Sequence, residues 1–271
     1  MGQSGTYFNA EGKLINRKKG RVKANVRPEI PASKQNAGVF ADASILWNWT
    51  AFQVPKGSSK LISVTAIIRG KNGVAEGAVP IDLFFARSIN GVAPANLGTQ
   101  RAAVTTFNWA NHLIGYHPIL AADYTDADLV ALRVAQSGLG TGSRELVLTG
   151  EPDSGTNVGY DTIYVAGIAK GEFDWTASAV LVATAADADD IEAGSTEDLV
   201  VKTGSAVTNF AIGDVLNDED DLEFGEIETI DSATEINFLE ETVGTGTSDI
   251  HTVDKKVYNI HPITLILGFE Q

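Results

Sequence analysis

Between residues 43 and 183 apolar and polar positions alternate with period two in a succession of short runs. In Ile45-Leu-Trp-Asn-Trp-Thr-Ala-Phe-Gln53, Ile45, Trp47 and Trp49 fall on one face and Leu46, Asn48, Thr50 and Phe52 on the other, which is the spacing of a β-strand. Residues 60–69, 79–86, 101–107, 129–135, 145–148, 160–169 and 175–183 continue the series. Pro80 is suited to the start of its strand rather than the centre. Turn-forming stretches, among them Gly138-Leu-Gly-Thr-Gly142 and Gly150-Glu-Pro-Asp-Ser-Gly155, separate the runs. The last run, Tyr258-Asn-Ile-His-Pro-Ile-Thr-Leu-Ile-Leu-Gly268, reads as one strand buried on both sides, and the segment before it is too acidic to be its sheet partner. Its partners are therefore expected among strands laid down before residue 185. No stretch longer than about ten residues has helical spacing. Many short strands without βαβ alternation predict an all-β chain whose body is a jelly-roll-like antiparallel sandwich.

Two segments break this pattern. Residues 1–40 have no sustained period and carry Lys13, Arg17, Lys18, Lys19, Arg21, Lys23, Arg27 and Lys34 together with Pro28 and Pro31. They predict an extended basic N-terminal arm, either a solvated tail or a segment ordered along a neighbouring subunit. Val22, Val26, Ile30 and Val39 favour the second. Residues 187–255 alternate apolar residues with Asp and Glu in four or five short strands, the composition and length of a small β-barrel. A bulge at Gly225 or Thr229 would reconcile the broken alternation of Gly225-Glu-Ile-Glu-Thr-Ile230. The expected organisation is thus arm 1–40, jelly-roll sandwich 41–186 and 256–271, and inserted acidic barrel 187–255.

Charge sharpens the division. The 271 residues carry a net charge of -15, against nonspecific nucleic-acid binding by the molecule as a whole. Residues 1–34 hold eight Lys and Arg against two acids, whereas residues 187–254 hold twenty Asp and Glu against Lys202 alone. The two regions face different partners or face each other. No apolar run approaches the roughly 20 residues that cross a bilayer, and the absence of cysteine excludes disulfides, zinc-thiolate sites and a cysteine nucleophile.

Candidate chemistry is sparse. The acidic turn Asn217-Asp-Glu-Asp-Asp-Leu-Glu223 offers hard oxygen ligands, with Asp218, Asp220 and Asp221 as a weak cation candidate, but lacks the glycine and spacing of an EF-hand loop and reads first as a solvated hairpin tip. His112, His117, His251 and His261 are scattered and read as structural. There is no Gly-x-Ser-x-Gly and no phosphate loop opening a helix, so no catalytic residue and no cofactor is expected. Trp47, Trp49, Trp109 and Trp175 could stack sugars, although tryptophans in alternating strands are more often core.

The stretch Phe210-Ala-Ile-Gly-Asp-Val-Leu-Asn-Asp-Glu-Asp-Asp-Leu-Glu-Phe-Gly-Glu-Ile-Glu-Thr-Ile-Asp-Ser-Ala-Thr-Glu-Ile-Asn-Phe238 resembles a module common in structural proteins of tailed bacteriophages: a Gly-Asp-Val-Leu strand, an acidic turn, a Gly-x-Ile strand, an Asp-Ser-x-Thr turn and a closing apolar strand. In outline the rest is similar to phage capsid decoration, or cement, proteins. The resemblance implies a non-enzymatic virion protein made in the bacterial cytoplasm and bound to the capsid surface as a trimer or dimer. Its partners would be the major capsid protein or other virion proteins, with no nucleic acid and no membrane. The arm cations would bind these partners. The alternative is a carbohydrate- or receptor-binding module associated with the tail or fibre.

Overall fold

The computed structural model describes residues 6–8, 14–16, 20–55, 57–71, 75–125, 132–137, 146–149, 151–152, 160–176, 180–181, 191–192, 199–200, 210–232, 235–238, 249–251 and 256–270. Period-two alternation builds eight principal strands: β1 (Arg21–Val26), β2 (Ile45–Pro55), β3 (Ser58–Arg69), β4 (Ile81–Ala86), β5 (Leu113–Ile119), β6 (Leu132–Ser137), β7 (Tyr160–Ala169) and β8 (Ile263–Glu270). They form two antiparallel sheets of order β1-β8-β3-β6 and β2-β7-β4-β5, the double Greek-key winding of a jelly roll. Short strands extend both sheets: Tyr124–Thr125 outside β6, Leu146–Thr149 on β3, and Glu151–Pro152 on β7.

The core lies between the sheets. On β8, Ile263, Leu265, Leu267 and Phe269 are fully buried, while Thr264, Ile266, Gly268 and Glu270 are half-buried, so this strand is buried on one face rather than both. It lies between β1 and β3, sharing one apolar cluster with Val64, Ala66 and Ile68 of β3 and with Phe52, Leu83, Phe85, Ile163 and Val165 of the facing sheet. The Phe269 ring stacks on Phe52 at 6.0 Å. Each large side chain removed from water here stabilises the fold by about 2 kcal/mol.

Residues 101–107 are not a strand. The start of this stretch is bonded to the start of β2, the Arg101 N–H donating to Ile45 O and the Ile45 N–H to Ala102 O. The residues before it pack on the second sheet, where the Asn48 amide donates to Gly98 O, the Leu97 N–H donates back to Asn48 Oδ1, and Trp49 Nε1 donates to Ala95 O. Trp109 meets Trp49 and Phe84 edge-on, and Ile45, Leu97, Trp109 and Ala166 make a second, smaller core.

The expected 1–40 arm is also revised. Residues 6–8 pair with 14–16 as a two-stranded ribbon, and β1 is an edge strand of the sandwich. Arg21, Lys23 and Asn25 are exposed, whereas Val22 and Ala24 are half-buried and Val26 is buried against the molecule's own core. Beyond β1, Ile30 is buried and a single helical turn, α1 (Ala32–Asn36), follows. Phe40 then enters the core edge-on to Trp175 at 5.4 Å. Val26 and Ile30, two of the four apolar residues that suggested a partner subunit, thus serve the chain's own fold, whereas Val22 is half-buried and Val39 is exposed.

The inserted region forms an open sheet. Val180–Leu181, Lys256–Asn259, Val215–Asp218, Glu223–Ser232, Glu235–Phe238 and Leu199–Val200 lie side by side in that order, and among the described residues they do not close into a barrel. Register shifts at residues 223–225 and 227–229 absorb the broken alternation, with Gly225 at φ 125°. Phe210, Leu216, Phe224, Ile227, Ile236 and Val257 form this module's own core. Lys256–Asn259 and Val180–Leu181 belong to the module sheet, not to the sandwich. The expected single strand 258–268 therefore breaks at Ile260-His261-Pro262, handing the chain from one sheet to the other.

Candidate functional site

The densest polar arrangement among the described residues lies at the seam between sandwich and module. Asp214 sits in the turn leading into Val215–Asp218 and is 3% exposed. Its Oδ1 accepts from Arg69 Nη2 at 2.9 Å, with Arg27 Nη2 at 3.7 Å, and its Oδ2 accepts the Ala211 N–H at 2.8 Å. Arg69 closes β3 and Arg27 directly follows β1; both strands run antiparallel to β8, so the two guanidiniums reach one module carboxylate from the same end of the sandwich sheet. Arg27 Nη1 also donates to Gly213 O at 2.8 Å. Burial pushes the Asp214 carboxyl above its ordinary pKa, while Arg69, the Ala211 N–H and Arg27 pull it down.

Around this pair the segment 28–36 is bonded to the module. The Ser33 N–H and hydroxyl both donate to the Asp221 carboxylate. Gln35 Nε2 donates to Ile30 O at 2.7 Å and to Asn259 O at 2.8 Å, and the Tyr258 hydroxyl donates to Asn36 Oδ1 at 2.8 Å. His261 Nδ1 lies 3.1 Å from Pro28 O, with burial lowering the imidazole pKa. Gln35, Arg69, Trp175 and Asn259 line a small cleft at this junction.

Of the arm cations, Arg21 and Lys23 are exposed on β1 and Arg27 is held at the seam; Lys13, Arg17, Lys18 and Lys19 lie outside the described residues. The carboxylates of the acidic turn do not converge. Asp218 is buried, and its Oδ1 accepts the N–H groups of Asp220 and Leu222 at 2.9 Å each, while Asp221 caps Ser33. Among the described residues no three His, Asp or Glu gather as a metal-binding group. The histidines are dispersed likewise: His112 Nδ1 lies 2.8 Å from Arg87 O, His117 is buried in β5, and the His251 side chain lies outside the described residues. The four tryptophans form no sugar platform, because Trp47, Trp109 and Trp175 are buried and Trp49 is half-buried with its N–H on Ala95 O.

Sequence reasoning missed one titratable cluster. Glu76, between β3 and β4, is buried, and its Oε1 has no hydrogen-bond partner among the described residues. Burial first, then repulsion from Asp174, raises its pKa to about 7, partly offset by Lys71, which is ion-paired to Asp174. Its only signal in sequence is a lone acid in Gly73-Val-Ala-Glu-Gly77, which alone does not mark burial.

No family model matches the chain, and no curated protein matches it. Among the described residues no helix is long and apolar enough to cross a membrane.

Proposed function

We propose that the chain is a non-enzymatic structural protein of a tailed-bacteriophage virion, a decoration or cement protein that binds and stabilises the capsid exterior as a trimer or dimer. The observation that carries this reading is the polarity of the molecule. The jelly roll opens with a basic, exposed edge strand, and an acidic module inserted between its last two strands is held through Asp214 by Arg27 and Arg69. Such a body has a cationic border for complementary protein surface and an anionic one that keeps coated particles apart. At the seam Asp214, Asp221 and Gln35 tie the module to the sandwich. The resemblance of residues 210–238 to phage structural modules directs the proposal to a virion.

The test is occupancy. Purified chain is mixed with undecorated shells and pelleted at rising ionic strength. Replacing Arg17, Lys18, Lys19 and Arg21 by Ser should lower bound chain most at low salt, where charge attraction is least screened. Unchanged occupancy overturns the reading. A second reading, a receptor- or glycan-binding module, has one observation in its favour. Phe107 and Tyr116 are 74% and 44% exposed beside the aromatic row of Trp109 and Phe84. A glycan array read with and without a chelator, on wild type and Tyr116→Ala, distinguishes it.

A further inference from the structure

We infer that the free edge of β1 is a docking strand for the acidic module of a second copy of this chain, which adds to the sandwich sheet by backbone pairing. The inference deepens the oligomeric part of the proposed function and rests on it. It starts from which way each backbone group points. The Arg69 N–H donates to Pro262 O, so the even-numbered residues of the β8 register turn their N–H and C=O toward β3 and the odd-numbered ones toward β1. Leu265, Leu267 and Phe269 stand opposite Val26, Ala24 and Val22. Arg21, Lys23 and Asn25 therefore direct their backbone groups away from β8, and β1 has no other strand partner among the described residues.

The β5 edge of the second sheet is treated differently. The Lys170 N–H donates to Pro80 O, which by the same parity turns Tyr116 and Pro118 of β5 outward. Pro118 has no N–H to offer, and the next outward donor, Leu120 N–H, is taken by Asp123 Oδ2 at 2.8 Å. The β5 edge is thus blunted covalently and by a side chain. The β1 edge has no proline; among the described residues it is guarded by the exposed cations Arg21 and Lys23. Charge of one sign repels a second β1 and attracts an acidic strand, so the edge selects its partner as well as excluding itself. The chain supplies that partner: within the acidic segment 187–254, Ile191–Glu192 and Asp249–His251 pair only with each other among the described residues, which leaves their outer backbone edges open. An edge on one copy meeting the module of the next is a heterologous contact, which closes into a ring when the rotation permits.

Sedimentation velocity of the full chain tests this. Wild type should sediment as a closed oligomer at low salt and dissociate as salt rises. Lys23→Glu reverses an exposed charge and leaves the β8 pairing intact. Asn25→Pro removes one outward donor at constant charge, at an edge position that tolerates proline. Each should raise the concentration of half-assembly by about tenfold. A wild type that stays monomeric at low salt, or an oligomer insensitive to both substitutions, overturns the inference. Shell pelleting separates this from the capsid reading: monomeric chain that still coats shells sinks only the docking strand, and an intact oligomer that ignores shells sinks only the capsid role.

Discussion

Single positions record how tightly the two sheets close. Trp47 packs against the backbone of Gly167 on the neighbouring strand, and a Cβ added there would come within 2.2 Å of the indole ring; the ladder breaks register at this point. Gly167→Ala must push aside a buried Trp in a packed core, and overpacking of this kind costs about 1–3 kcal/mol. Urea unfolding followed by tryptophan fluorescence should show that loss, and an unchanged midpoint would mean the ring has room to move. Glu76 gives a pH signature instead. Its carboxyl titrates near 4.5 in the unfolded chain and at about 7 in the fold, so its contribution is full below the lower value and is lost as pH rises through the upper one. Glu76→Gln keeps the neutral form at every pH. The variant should match wild type near pH 4 and exceed it by about 2 kcal/mol at pH 8. Denaturation midpoints of both proteins across that range check it, and a difference that does not vary with pH would place the titration elsewhere.

At the scale of elements, what was legible in the sequence was whatever alternation alone decides. The strands around residues 45–55, 58–69, 81–86 and 160–169 announce themselves because each has one apolar face. β1 was hidden by its function as an edge, since Arg21 and Lys23 occupy the very positions that an edge strand leaves in water. β5 was hidden by Gly115, His117 and Pro118, which interrupt the apolar pattern yet sit in register opposite Phe85, Leu83 and Asp82. Residues 101–107 misled in the other direction: most of them are exposed, with Val104 against the smaller core and a single bridge from Ala103 to Ser44. The seam was invisible for a different reason. Arg27, Arg69 and Asp214 are far apart in the chain, and only the return of β8 between β1 and β3 brings them together.

That return also decides how the whole molecule holds its module. The insertion leaves the sandwich after β7 and re-enters it through Ile260-His261-Pro262, so both connections lie at one end, and the Asp214 pair with the α1 contacts must fix the orientation. Removing Arg69 leaves a buried carboxylate with Arg27 at 3.7 Å as its remaining guanidinium partner. Breaking a fully buried pair costs about 3–5 kcal/mol. Arg69 is a quarter exposed, so solvent reduces the loss to about 2 kcal/mol. The loss should be local. In Arg69→Met, amide hydrogen exchange across residues 215–238 and 256–259 should quicken by roughly thirtyfold, while β4 and β7, which do not touch the seam, keep their protection. The double variant Arg69→Met/Asp214→Leu, which removes the charge along with its partner, should recover much of the module's protection. Uniform loss throughout the chain would show that sandwich and module unfold as one unit, and no loss at all would transfer the orienting role to Gln35 and Ser33.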